Sequence, residues 1–105
     1  MKENTSLPCL KLMSPQDVIR CEASTNYIIS FLSNNTTITT SGTIKEYEVI
    51  LSEHNFVRVH KSHQVNLSFV EVFTNKQQLL LRDKTLVDVS RRRKAELLEI
   101  IKRTI

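Results

Sequence analysis

Two polar segments of the sequence carry side chains whose types and spacing suit them to binding or catalysis. Residues 91–94 are four consecutive cations, three arginines and a lysine. Residues 58–66 interleave cationic, imidazole and amide groups with the apolar residues Val59 and Val65. Guanidinium and ammonium groups bind phosphate oxygens, and imidazoles bind phosphates or metal ions. Both segments are therefore candidates for recognising an anionic partner, with the apolar residues as their anchors.

The cations at 91–94 stand where they oppose helix stability. Ser90 suits a helix N-cap, and the apolar spacing after it predicts a C-terminal helix near 91–103. Its inner face would be formed by Leu97, Leu98 and Ile101. A cation at a helix N-terminus costs a few tenths to about 1 kcal/mol at low salt. A bound phosphate would remove this conflict, because the free N–H groups and the guanidinium groups would both bind it. A solvated charge run at the end of a domain is the alternative interpretation.

The net charge of +4 lies entirely in the last 15 residues, because residues 1–90 carry nine basic and nine acidic side chains. With 40% hydrophobic and 25% charged residues, the chain has the composition of one globular domain over 1–105 and not of a disordered segment. No apolar run is long enough to span a membrane, and we expect no secretory signal because residues 1–4 begin no apolar stretch. The two cysteines, Cys9 and Cys21, are expected to be reduced thiols. We therefore expect a cytoplasmic protein that makes no membrane contact.

The same residue types argue against an enzyme. The single glycine, Gly42, excludes the glycine-rich loops that bind nucleotide phosphates. His60 and His63 could bind a metal only within a larger set of ligands, which the neighbouring sequence lacks. Ser62, between them, has no glycine elbow to make it a nucleophile. We expect no catalytic residues, no metal and no cofactor.

The elements that must position these segments are mostly β-strands, since 28 of the 105 residues are Val, Ile or Thr. The expected fold is mostly β, made of small sheets, with one short amphipathic helix near 44–52 and the C-terminal helix. The first helix begins with the capping-box pattern of Thr43 and Glu46. Strands are expected at 7–13, 18–21, 27–32, 36–40, 56–59, 77–81 and 85–89. Between 64 and 73 the alternation changes phase near Phe69, which predicts a bend or bulge.

Several motifs, in the order in which they occur along the chain, resemble the LytTR DNA-binding domain. The most specific are Phe56-x-Arg58-x-His60-x-Ser62 followed by Val65-Asn66, and Val89-Ser90-Arg91-Arg92. Residues 18–23, 26–27 and 43–48 resemble the family in the same order. The resemblance covers about 15–103, so it accounts for most of the chain. The sequence departs from the family in a short segment before residue 18 and in the absence of a glycine from the last hairpin.

The resemblance implies a bacterial transcription regulator, usually the output domain of a two-component response regulator. It implies three small sheets with a short helix between them. Double-stranded DNA would be read by loops between strands in successive major grooves, with the DNA bent. Two copies would bind paired repeats. An N-terminal receiver domain or a partner histidine kinase would belong to the system if this chain is a fragment.

The resemblance also implies roles for particular residues, carried on three loops around Asn26, Lys61 and Arg91. The expected base-contacting residues are Asn26, Lys61 and Arg91. The expected phosphate-contacting residues are Tyr27, His60, Ser62, His63, Arg92 and Arg93. The chemistry agrees, because Arg and Lys donate to guanine and Asn pairs with adenine in the major groove.

Two further functions compete with sequence-specific DNA binding. A protein-interaction module would pair with another LytTR-type regulator and restrain it, using the electrically neutral surface of residues 1–90. An RNA-binding domain is less favoured, because the six aromatic residues are mostly needed for a core and leave few stacking platforms.

Overall fold

The computed structural model describes residues 14–104, so the expected strand at 7–13 and Cys9 lie outside the described residues. Two helices and eight strands occur in this part of the chain. They are β1 (Val18–Ser24), β2 (Tyr27–Leu32), β3 (Thr37–Ser41), α1 (Ile44–Leu51), β4 (Phe56–His60), β5 (His63–Asn66), β6 (Val70–Phe73), β7 (Gln78–Leu81), β8 (Leu86–Asp88) and α2 (Arg91–Thr104). Single turns of 3-10 helix lie at Pro15–Asp17, Ser52–His54 and Leu67–Phe69.

The strands of the described region form two antiparallel sheets. The first has five strands in the order β3-β2-β1-β5-β4, and the second has three in the order β6-β7-β8. The expectation of a mostly β fold with one short central helix and one C-terminal helix is confirmed. The expectation of three small sheets is wrong for this part of the chain, since β1 to β5 pair continuously in one sheet.

Asn35, Gln77 and Lys84 take the left-handed conformations at the hairpin turns, where glycine is scarce. Between β2 and β3, Asn34 accepts a hydrogen bond from the Thr36 amide at 3.1 Å, and Asn35 has a φ of 70°. Between β7 and β8, Asp83 accepts from the Thr85 amide at 3.0 Å. These side chains replace the backbone contacts of a glycine turn. Both predicted hairpins are confirmed within one residue at each end.

Helix α1 begins with the predicted capping box. The Thr43 hydroxyl accepts from the Glu46 amide at 3.2 Å, and the Glu46 carboxylate accepts from the Thr43 amide at 2.9 Å. Its buried residues Ile44, Tyr47 and Leu51 pack against one face of the five-stranded sheet. The helix therefore sits over β1, β2 and β4, with its N-terminus near the end of β3.

A second core lies between the two sheets and α2. Val57, Val59 and Val65 of the larger sheet pack with residues of the smaller sheet and with Leu97. Leu97 is fully buried, and Ile100 and Ile101 pack against this core. The placement of Leu98 on the inner face is wrong, because this side chain is 36% exposed. One residue turns an α-helix by about 100°, which carries residue 98 away from the face that residues 97 and 101 share.

The phase change between 64 and 73 marks a change of sheet. β5 ends at Asn66, whose side chain accepts from the Ser68 amide at 2.9 Å and donates to the Val18 carbonyl at 3.0 Å. A 3-10 turn then leads into β6 of the other sheet. The predicted bend is present, but the chain does not continue as one bulged strand, because Asn66 caps the turn that interrupts it.

Candidate nucleic-acid interface

One end of the five-stranded sheet brings together the three segments singled out in the sequence. The turn between β1 and β2 and the turn between β4 and β5 lie at the same end, because Glu22 pairs with His63 in the antiparallel register. Helix α2 begins beside them. We call this region the loop edge and define it as residues 24–27, 60–63 and 90–93.

Backbone hydrogen bonds hold the three segments of the loop edge against one another. The Ala23 amide donates to the Ser62 carbonyl at 2.9 Å, which joins the first turn to the second. The Ser90 amide donates to the Val59 carbonyl at 2.8 Å, which joins the start of α2 to the end of β4. Because these are main-chain bonds, they do not involve the exposed side chains of the three segments.

The first segment presents Asn26 at the tip of a two-residue turn. The Asn26 carbonyl accepts from the Gly42 amide at 3.2 Å, which ties the tip to the end of β3. Gly42 has a φ of 138°, a conformation that favours glycine. Asn26 is exposed, and the neighbouring Tyr27 is 55% exposed. An amide and a phenol thus face solvent side by side.

The second segment presents Lys61, and its conformation depends on Arg58. The Arg58 guanidinium donates to the Lys61 carbonyl at 2.7 Å and to the His60 carbonyl at 3.3 Å. Val59 and Val65 are fully buried, so the predicted apolar anchors are confirmed. Lys61 is left exposed at the tip.

Two residues of this segment serve the fold, although their residue types suggested partner binding. The Arg58 guanidinium donates hydrogen bonds to carbonyls of the turn. Asn66 is only 1% exposed and is hydrogen-bonded within the protein. In the sequence, Arg58 lies two residues before His60 and three before Lys61, so its side chain is close enough to bind their carbonyls. The signal for Asn66 was its place at the end of a strand, where Asn commonly caps a turn.

His60 faces Ser62 within the turn. Its Nδ1 accepts from the Ser62 amide at 3.2 Å, and the Ser62 hydroxyl lies 3.3 Å from the same nitrogen. An Nδ1 that accepts carries no proton, so in this arrangement the neutral ring carries its proton on Nε2. That N–H is the group His60 can offer to a bound oxygen.

His63 stands at the start of β5, with its ring centroid 5.1 Å from that of His60. Its Nδ1 is buried and has no hydrogen-bond partner among the described residues. Burial lowers the pKa of His63 below its ordinary value of 6.5, and the neighbouring His60 and Arg20 lower it further. The carboxylates of Glu22 and Asp88 oppose this shift without cancelling it. At pH 7 the neutral form of His63 is therefore favoured further than in a free imidazole.

The third segment places guanidinium groups at the first turn of α2. Arg91 and Arg92 are exposed, while Arg93 is half-buried. The Ser90 carbonyl accepts from the amides of Arg93 and Lys94, both at 3.1 Å, so the helix begins here as predicted. One Arg93 nitrogen lies 3.7 Å from a carboxylate oxygen of Glu48 on α1. The predicted site residues of all three segments thus meet at one edge.

Within 14–104, no group of three or more His, Cys, Asp or Glu side chains could hold a metal ion. In the same range, no helix has the length and apolar character needed to cross a membrane.

Comparison with known proteins agrees with this geometry. The family model described as the LytTr DNA-binding domain matches residues 9–102. Among solved structures, the chain is similar to the LytTr DNA-binding domain of a Bacillus cereus protein described as a methyl-accepting/DNA response regulator. The two share 19% identity with a TM-score of 0.75, over 85% of this chain and 84% of that one. No curated protein matches the sequence.

Proposed function

The chain belongs to the LytTR DNA-binding domain family, and on that premise we propose that it reads specific DNA sequences through the loop edge. Family membership makes it a non-enzymatic DNA-binding module of a transcription regulator. The observation that supports this use of the loop edge is the exposure of Asn26, Lys61 and Arg91 on three segments joined by main-chain bonds.

These three side chains are the proposed base contacts. Arg91 can bond O6 and N7 of a guanine together, and Lys61 can donate to the same base edge. Asn26 can pair with N6 and N7 of an adenine. Each good bidentate contact contributes about 1–3 kcal/mol of discrimination between bases. Their three segments would enter successive major grooves.

Six further side chains of the loop edge are the proposed phosphate contacts. They are Tyr27, His60, Ser62, His63, Arg92 and Arg93. Arg92 is the most exposed cation of this group and contributes charge. His63 would act as a neutral N–H donor, because its pKa is lowered. Such contacts orient a protein on the duplex without reading sequence.

We further propose that two copies bind paired repeats, as the output domains of a bacterial two-component response regulator. In that system a receiver domain or partner histidine kinase supplies the signal. The described fold supplies the DNA-reading part.

The proposal is tested by selecting bound DNA from a random pool and then measuring the affinity of Arg91→Ala for selected and random duplexes. Arg91→Ala should weaken binding to the selected duplex by about 5- to 150-fold and to random DNA far less. Arg103→Ala removes an exposed arginine from the far end of α2 and serves as the matched control. It should change both affinities slightly and equally.

Salt dependence provides the second arm of this test. Affinity for either duplex should fall steeply as salt rises, because neutralised phosphates release counterions. A pool that yields no preferred sequence, or affinities that do not respond to salt, would refute sequence-specific DNA binding. Equal losses on selected and random duplexes would make Arg91 a phosphate contact.

A further inference from the structure

One carboxylate connects two of the three segments of the loop edge. Glu48 lies on α1, outside the loop edge, with its side chain 35% exposed. One of its oxygens accepts from Arg58 at 3.1 Å, and the other lies 3.7 Å from Arg93. Glu48 therefore stands between an arginine that shapes the Lys61 turn and an arginine in the first turn of α2.

The Arg58 arm of this network fixes the shape of the Lys61 turn. Three nitrogens of the guanidinium are in use, one on Glu48 and one each on the carbonyls of His60 and Lys61. Its side chain is only 16% exposed, so its charge has lost most of its water. A cation in such surroundings needs an opposite charge beside it. Glu48 supplies that charge and holds the fork toward the two carbonyls.

The Arg93 arm holds the start of α2. Arg93 lies two residues after Arg91 in the same helical turn, and its side chain is 27% exposed. The ion pair with Glu48 engages one terminal nitrogen, which leaves other N–H groups of the guanidinium free for a phosphate. The pair can therefore orient Arg93 while Arg93 also binds DNA.

We propose that Glu48 is a positioning residue for DNA recognition. Through Arg58 and Arg93, it holds the side chains of Lys61 and Arg91 in one arrangement, so that both reach their bases together. This inference rests on the proposed function of the loop edge. It assigns Glu48 no contact with DNA.

The sign of the effect separates this role from simple electrostatics. A carboxylate near the DNA backbone repels it, so removing that charge strengthens non-specific binding when nothing else changes. A positioning residue behaves differently, since its loss leaves the guanidinium groups of Arg58 and Arg93 without their shared carboxylate and lowers affinity for the specific sequence. Non-specific affinity, which needs only positive charge, is kept or increased.

The test compares Glu48→Gln with Glu53→Gln, using the full chain with the selected duplex and with random duplex. Glu53 is an exposed acid in the 3-10 turn after α1 and forms no ion pair within the described residues, so its substitution makes the same charge change. We expect Glu48→Gln to bind the selected duplex about tenfold more weakly, with random-duplex affinity unchanged or higher. Glu53→Gln should leave the ratio of the two affinities as in the unmodified chain.

A base-pair series gives a readout that general destabilisation would not produce. In Glu48→Gln, the penalties for mutating the base pairs read by Lys61 and by Arg91 should both shrink, while the penalty at the Asn26 position stays. Arg58→Lys keeps the charge but loses the planar fork, and it should reduce the penalty at the Lys61 position.

The outcomes distinguish failure of the Glu48 role from failure of the proposed function on which it rests. If the unmodified chain does not prefer its selected duplex, the proposed function fails. If the unmodified chain discriminates and Glu48→Gln behaves like Glu53→Gln, the positioning role is overturned. Equal loss on both duplexes would also overturn it, because loss of folded protein explains that result.

Discussion

His63 shows at the scale of a single residue how the fold controls charge within the loop edge. Its pKa is lowered mainly by burial, so the folded protein resists protonating it. In the unfolded chain the same imidazole titrates near 6.5. Below that pH the unfolded state therefore binds more protons than the folded state, and the free energy of unfolding decreases.

We therefore predict that part of the stability lost on acidification comes from His63. Its contribution is fully present above pH 6.5 and is lost as the pH falls from 6.5 through the lowered pKa. Urea unfolding at pH 7.5, 6.5 and 5.5 measures it. His63→Gln, which cannot titrate, should lose less stability than the unmodified chain over this range.

His54→Gln is the control for that experiment, because His54 is exposed in the 3-10 turn after α1. It should keep the pH dependence of the unmodified chain. An unchanged pH dependence in His63→Gln would show that burial of this ring does not couple folding to protonation.

Individual residues also show how far the sequence could predict the candidate site. Lys61 and Arg91 were found from charge and motif, and the structure exposes both. The structural use of Arg58 was not predictable from residue type, because a guanidinium suits a carbonyl as well as a phosphate. The proposed role of Glu48 depends on its contacts with Arg58, ten residues away in sequence, and with Arg93, 45 residues away. These contacts arise because α1 and α2 both pack against β4.

At the scale of elements, α1 must be stable for Glu48 to be in place. The helix has only eight residues, a length at which isolated helices do not persist in water. Packing of its buried face and the capping box at Thr43 compensate for this. The cap was predictable because it depends on four consecutive residues.

We predict that Thr43→Ala lowers the free energy of unfolding by about 1 kcal/mol, because an amide of the first turn loses its acceptor. In a domain of this size, that corresponds to a decrease of about 4–8 °C in Tm. Thermal unfolding followed by circular dichroism measures the change. Thr43→Ser keeps the hydroxyl and should remain within a few tenths of a kcal/mol of the unmodified chain. Equal losses in both variants would contradict the capping role.

The elements predicted least well are those whose ends depend on distant partners. The change of phase between 64 and 73 predicted a bend, but it did not show that the two halves belong to different sheets, with Asn66 bonded to Val18 where the first half ends. Leu97 and Leu98 are both apolar and adjacent in α2, yet Leu97 is fully buried and Leu98 is exposed. Alternation reports which residues can be buried, and tertiary packing decides what they are buried against.

At the scale of the whole molecule, size constrains how DNA can be engaged. The longest dimension of the Cα trace is 42 Å, and successive major grooves on one face of B-DNA lie about 34 Å apart. One copy is therefore too short to contact DNA over more than about one helical turn. Two copies on paired repeats would have to lie along the duplex, each on its own turn.

This geometry makes cooperativity between the two proposed copies depend on the helical phase of their repeats. We predict that a 5-base-pair insertion between the repeats, about half a helical turn, rotates the second copy to the opposite side and abolishes cooperative binding. An insertion of about 10 base pairs restores the alignment and should recover part of the cooperativity.

Gel-shift titrations on the duplex with the original spacing and on the two with insertions measure this effect. The cooperativity factor should fall by about fivefold or more at half a turn. Because every duplex keeps both sites intact, affinity for each site alone should not change. Identical titrations for all spacings would mean that two copies bind independently and that pairing of repeats contributes no contact between them.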